Sequence, residues 1–223
     1  MTDDVLPDLD AGLTHLRSPG PRSTALHRLV VSELTERDGR VFWLDVRNAA
    51  TTYALYELAP HHRVLDGVRV ARAFTAYQHH TLATRLARAV DGRTAMVVAP
   101  NCASLYRDDD VPDYEADDLY EATATLLAEV GRTFDVPVLA TTDASDAPLP
   151  PTVAADARVV DCERTSQGLH YAAEDFETTV YVADGYWQTT IPYWVDLFGV
   201  ARETKRPANV GRPDVGAGLA GWG

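Results

Sequence analysis

The chain has 223 residues, 46% of them apolar and 24% charged, a length and balance that suit one globular domain with a full core. Its 33 acidic residues against 20 basic ones leave a net charge of −13, which in ordinary salt works against an electrostatically driven nucleic-acid binder. No run of about 18 apolar residues is present to span a bilayer, and the acidic opening MTDDVLPDLD lacks the apolar centre of a signal peptide, so a cytoplasmic location without membrane contact is expected.

Residues 1–11 read as an acidic, flexible N-terminus, 12–199 as a single α/β domain, and 200–223, rich in Gly, Pro and Arg, as a disordered tail. Within the domain, Gly12–Arg17 is a short strand and Ser18–Pro21 a turn that two prolines and a glycine impose. A helix then starts at Ser23 or Thr24 and carries Ala25, Leu26, Leu29, Val30 and Leu34 at helical spacing. Val41–Asp45 is a continuous apolar strand ending in a carboxylate, as in a buried parallel sheet. Thr51–Leu58 is a short helix, Pro60–Asp66 a loop, Val68–Ala73 a strand and Ala76–Val90 a helix. Thr94–Val98 is another buried strand, Asn101–Tyr114 a long loop, and Glu115–Thr133 a helix with acids in its first turns, which suits the helix dipole. After a strand at Val136–Ala140 and a Pro/Asp-rich loop at Thr141–Pro151, four short segments (157–161, 168–172, 178–182 and 187–190) read as a β-meander. A short helix is expected at Tyr193–Phe198. Strands alternating with helices imply a mainly parallel sheet covered on both faces, with the meander extending one edge.

The strand, Pro/Gly turn and helix of Gly12–Val31 stand where a nucleotide-binding α/β domain puts its phosphate loop. A working loop reads G-x-x-x-x-G-K-[ST]. Here Pro19-Gly20-Pro21-Arg22-Ser23-Thr24 keeps the hydroxyls and lacks the lysine; the chain's single lysine is Lys205. Gly20, Arg22, Ser23 and Thr24 are the candidate anion-binding residues, and Asp45 is a candidate strand-end carboxylate, either at the ligand edge of the sheet or as a cap on the following turn.

Two resemblances follow. The acidic, lysine-poor composition resembles that of proteins from salt-loving microbes; in molar salt the Debye length falls to roughly 3 Å and net charge constrains partners less. The order of elements from about Gly12 to Ala172 resembles the RecA/RadA recombinase core, a P-loop NTPase fold. The segment VRVARAFTAYQHHTL (Val68–Leu82) is similar to the archaeal recombinase strand and helix, and Val41–Asp45 with Val46-Arg47-Asn48 is similar to the family's W-I-D strand and the T-E-N that follows it. The departures fall on the chemistry. Against the family's pattern, Arg22 replaces the phosphate-loop lysine, Pro21 a loop glycine, Arg47 the general-base glutamate, and Ala99 or Pro100 the aspartate that organises magnesium. Proline removes a backbone donor from the cradle, and in-line phosphoryl transfer needs positioned metal, neutralised phosphate charge and an oriented water together.

The resemblance therefore implies no catalytic residue, no metal and no cofactor, and a non-catalytic accessory role in DNA recombination or repair through contact with a RadA-type recombinase or with its own copies. One alternative is an ATPase using ATP and magnesium at a variant loop; another is an unrelated small-molecule α/β enzyme using Asp45 and the histidines. The family's DNA-contacting loops correspond to Tyr106–Tyr114, which carries four aspartates and one arginine, and Thr141–Val153, which carries two aspartates and no basic residue. Tyr106, Arg107 and Tyr114 are the only groups there suited to single-stranded DNA. His79 and His80, adjacent on a helix, point about 100° apart, which disfavours a shared metal and favours a polar helix face. His61-His62, in a loop, could bind a metal with a remote partner and is as weak a candidate, and Cys102 and Cys162 read as small buried apolar groups.

Overall fold

A computed structural model describes residues 6–20, 23–109, 111–142, 148–183 and 186–189. Within these, β1 (Gly12–Arg17), β2 (Arg40–Val46), β3 (Val68–Ala73), β4 (Thr94–Ala99), β5 (Pro137–Thr142), β6 (Arg158–Arg164), β7 (Gly168–Ala173), β8 (Phe176–Ala183) and β9 (Tyr186–Thr189) form one sheet in the order β3-β2-β4-β5-β1-β6-β7-β8-β9. Pairings from β3 to β6 are parallel, and those from β6 to β9 are antiparallel. The α/β class, the mainly parallel sheet and the terminal meander agree with the sequence reading. The expected helix at Tyr193–Phe198 and the tail lie outside the described residues.

Every residue of β4 and β5 is buried, because helices cover both faces. α1 (Ala25–Glu36) and α2 (Thr52–Leu58) pack on one face against Leu16, Val41, Trp43, Met96, Val98 and Leu139. α3 (Ala76–Ala89), α4 (Asp113–Phe134) and the single turn α5 (Pro151–Ala154) pack on the other, against Leu13, Leu44, Val46, Val97, Val138 and Ala140. Alternate strand residues supply the two cores, as the period of two requires. No helix among the described residues is long and apolar enough to cross a membrane.

Three details depart from the sequence reading. Leu6 and Leu9 are buried in the α1-side core, and the carbonyls of Asp8 and Leu9 accept bonds from Arg158 and Arg37, so the stretch after residue 5 is packed rather than loose. The loops expected at Pro60–Asp66 and Asn101–Tyr114 each contain a 3-10 turn, His62–Leu65 and Ser104–Arg107. α4 starts two residues earlier than expected, at Asp113 behind Pro112, with Asp113 and Glu115 in its first turn.

α4 approaches β1 at a pair of glycines. A Cβ built on Gly131 would stand 2.8 Å from Gly12 Cα. Gly131→Ala gains about 1 kcal/mol of helix propensity but forces α4 off the sheet, at about 1–3 kcal/mol or more for overpacking against backbone. A net loss of about 1–2 kcal/mol is expected in urea unfolding; a stabilised variant would show that the contact yields.

Candidate functional site

In the sheet, β1 and β5 are neighbours whose following helices lie on opposite faces, α1 on one and α5 on the other. The ends of such strands open the crevice in which α/β sheets bind ligands. The expected phosphate loop lies here. The Ser18 N–H donates to Thr142 O (3.2 Å) and carries the β1–β5 pairing one residue further.

The loop then folds onto itself. Gly20 has φ +142°, a conformation that favours glycine. Its carbonyl accepts both the Ser18 hydroxyl (3.2 Å) and the Ser23 N–H (3.0 Å). Ser23 Oγ accepts the Ala25 N–H at 3.1 Å. Thr24 is the N-cap of α1, yet its side chain caps no backbone amide; its Oγ1 accepts Arg28 Nε at 3.3 Å. Of the candidate anion residues, Gly20, Ser23 and Thr24 are thus brought together, with the Ser23 amide bonded to the loop itself. Arg22 and Pro21 lie outside the described residues. Arg28, buried on the first turn of α1, is a cation near this loop that sequence reasoning missed; its place one helical turn after Thr24 was the available signal.

Beside the loop, His15 Nε2 and Thr142 Oγ1 are 2.8 Å apart. Burial, and then the Arg17 charge, lower the His15 pKa to about 4, with Asp161 acting weakly the other way. Arg17 itself pairs with Asp161 at 3.3 Å on the surface.

The second part of the edge is the end of β2. Asp45 is fully buried. Its Oδ1 accepts the Ala50 N–H (2.8 Å) and its Oδ2 accepts Arg72 Nε from β3 (2.6 Å). It caps the turn that follows, where Arg47 and Asn48 both have positive φ, 57° and 58°, and where the Ala49 N–H closes on Val46 O at 3.3 Å. Arg47, at the position of the expected general base, reaches Asp108 Oδ1 (2.5 Å) and Ser104 O (3.4 Å). His27 Nε2 lies 2.9 Å from Ala49 O and so carries the proton there; burial lowers its pKa.

At the end of β4, Ala99 is buried and brings no carboxylate. Asn101, with φ 49°, instead bonds the neighbouring strand ends: its N–H donates to Thr141 Oγ1 (2.9 Å) and its Nδ2 to Val46 O (3.4 Å).

Two sequence expectations are corrected by packing. Tyr106 is 2% exposed and belongs to the α3–α4 core, so it offers no stacking face to DNA; Tyr114 is exposed, and Arg107 pairs with Asp117 at 2.9 Å. His79 does not lie on a polar face: it is fully buried. The Tyr106 hydroxyl donates to Thr123 Oγ1 (2.9 Å) and Thr123 to Leu119 O (2.8 Å). His79 Nδ1, 2.8 Å from the Tyr106 oxygen, therefore carries its proton and donates. This leaves His79 Nε2 as a buried acceptor without a hydrogen-bond partner, and desolvation, helped by His80, lowers the pKa to about 4.

No group of His, Cys, Asp and Glu suited to a metal exists among the described residues. Cys102 and Cys162 are buried and form no disulfide, and burial pushes the Cys162 thiol up to about 12. A cavity of about 150 Å³ lies at the opposite end of β1, between Asp10, Gly12, Arg132, Asp156 and Arg158, away from the loop and from Asp45. No protein-family model matches the chain, and no curated protein matches it.

Proposed function

We propose that the chain is a non-catalytic, RecA/RadA-like accessory protein of DNA recombination or repair that acts by protein contact. The observation that carries this reading is the closure of the strand-end edge by the chain's own groups. The Ser23 N–H is turned onto Gly20 O, Arg47 onto Asp108, and both Asp45 oxygens onto Ala50 and Arg72. A phosphate cradle needs converging N–H groups, and hydrolysis needs a base and a metal-holding carboxylate; the Ser23 amide and the Arg47 side chain are taken by internal bonds, and Ala99 stands buried at the carboxylate position. The order of elements and the edge meander agree with the resemblance of the sequence to the recombinase core.

Equilibrium binding of labelled ATP with magnesium, in dilute and in molar salt, is expected to show no saturable site. Saturable binding that Arg22→Ala or Ser23→Ala abolishes would overturn the non-catalytic assignment and favour the variant-loop ATPase. The accessory role is tested by co-purification with a RadA-type recombinase. Capture is expected, and a protein that takes up neither the recombinase nor single-stranded DNA would remove the assignment.

A further inference from the structure

Among the described residues, β3 pairs only with β2 and ends the sheet. Exposed edges are normally blunted by lysine, proline, a bulge or a covering element. The β3 sequence VRVARA has no lysine or proline, and its register with β2 is unbroken from Val68 to Ala73. Its two arginines are turned aside: Arg72 is bonded to Asp45, and Arg69 folds back on Asp66 O and Val68 O at 2.8 and 3.0 Å. Of the seven large apolar side chains exposed among the described residues, Val70 lies on β3, Phe74 follows it directly and Tyr77 is in the first turn of α3. Such a concentration marks a contact surface.

We propose that β3 is the contact strand of a symmetric dimer, in which a second copy of this chain adds its own β3 antiparallel and joins the two sheets. The inference rests on the protein-contact reading above and names one partner for it. Its geometry is self-complementary. The Val41 N–H is bonded to Gly67 O, and Val41 lies beside Val68. Arg69 and Ala71 therefore direct their backbone groups to β2, and Val68, Val70 and Arg72 direct theirs to the open edge. Val68 packs with the α1-side core and Ala73 with the α3-side core, so Val68, Val70 and Arg72 also share one face.

A two-fold axis normal to the sheet sets Val70 opposite Val70 of the second copy, and Val68 opposite its Arg72. Outward groups then meet outward groups, matching faces meet, and each opposed pair exchanges both backbone bonds. Charge favours this occupant. The edge and its approach carry Arg63, Arg69 and Arg72 against Asp45 and Asp66, whereas the whole chain carries −13. Two equally acidic molecules meet with least repulsion at this near-neutral strip, and salt should tighten the contact by screening the rest.

Sedimentation equilibrium of the full chain across the micromolar range, in dilute and molar salt, is expected to give a monomer–dimer equilibrium that salt tightens. Val70→Pro removes an outward N–H and leaves the β2 ladder intact; it should weaken the dimer by roughly tenfold or more. Val70→Lys, a natural edge-blunting residue, should do the same and decides the matter if the proline variant melts early. A monomer at every concentration and salt, a dimer that neither variant weakens, or Val70 amide exchange already protected in the monomer would overturn the proposal. An intact dimer that captures neither a recombinase nor single-stranded DNA would remove the accessory role and leave the dimer standing.

Discussion

Between pH 6.5 and about pH 4 the protein is expected to lose much of its stability, and to lose it through two buried histidines. His15 and His79 each have a folded-state pKa near 4, lowered first by burial, whereas an unfolded histidine titrates near 6.5. At pH 7 both are neutral in the fold and mostly neutral in the unfolded chain. As the pH falls through 6.5 the unfolded chain takes up protons that the folded one refuses. Stability then drops until the folded histidines themselves titrate near 4, and levels off below. Each group contributes on the order of 3 kcal/mol over that window, against a total stability of about 5–15 kcal/mol for an ordinary domain. His27, lowered by burial too, adds in the same direction.

Two effects run the other way. Burial raises the pKa of Glu33, partly offset by Arg37, so its protonation on acidification favours the fold. Protonation of surface carboxylates also relieves the repulsion of a −13 chain. The relief of surface repulsion acts mainly at the low end of the window, where ordinary carboxylates titrate, and the part of the slope that a histidine substitution removes belongs to that histidine. Urea midpoints taken across this range should fall steadily. His79→Phe keeps a ring in the same space, leaves the Tyr106–Thr123 bond in place and removes an orphaned buried nitrogen. It should flatten the acid slope by about half while changing stability at pH 7 by about 1–2 kcal/mol at most. A wild-type midpoint that holds constant from pH 6.5 to 5, or an unaltered slope in the variant, would refute the assignment.

The sequence made some of this legible and hid the rest for physical reasons. α1 was readable because Ala25, Leu26, Leu29, Val30 and Leu34 repeat at the helical period, and all five are buried. β2 and β4 were readable as apolar runs too short for helices. The place of His79 is also legible: it stands three residues after Ala76 and four before Ala83, on the buried stripe of α3, although the adjacent His80 makes the pair look polar. Tyr106 was hidden by its neighbours, since a tyrosine beside RDDD reads as surface until the Ser104–Arg107 turn carries it between α3 and α4. α5, four residues long, is too short to show a period. The bonds that close the site, His15 to Thr142 and Arg47 to Asp108, span 127 and 61 residues and depend on a strand order that periodicity does not contain.

Asp45→Ala is expected to cost about 3 kcal/mol and to lower the melting temperature by about 6–12 °C. Asp45 is fully buried and satisfies two groups. Without it the Ala50 N–H is stranded at the end of β2, and Arg72 loses the carboxylate that neutralises it. Removing one partner of a buried pair typically costs about 3–5 kcal/mol, but the Arg72 side chain is 42% exposed and recovers water, which holds the estimate to the low end. Asp45→Asn keeps an acceptor for Ala50 and should cost about half as much. A cycle with Arg72→Met separates the two bonds, because the ion pair appears as the non-additive part and the turn cap as the remainder. The cap matters beyond its own bond. It holds the Arg47–Asn48 turn, whose two residues sit in a backbone region that non-glycine residues avoid, and that turn aims Arg47 at Asp108. Asp45→Ala should therefore also loosen the Ser104–Asp108 segment, seen as faster amide exchange there than the global loss of stability explains. An alanine variant as stable as the parent would mean that Asp45 holds nothing together, and a buried carboxylate kept at a strand end without a structural task would then be evidence for a ligand after all.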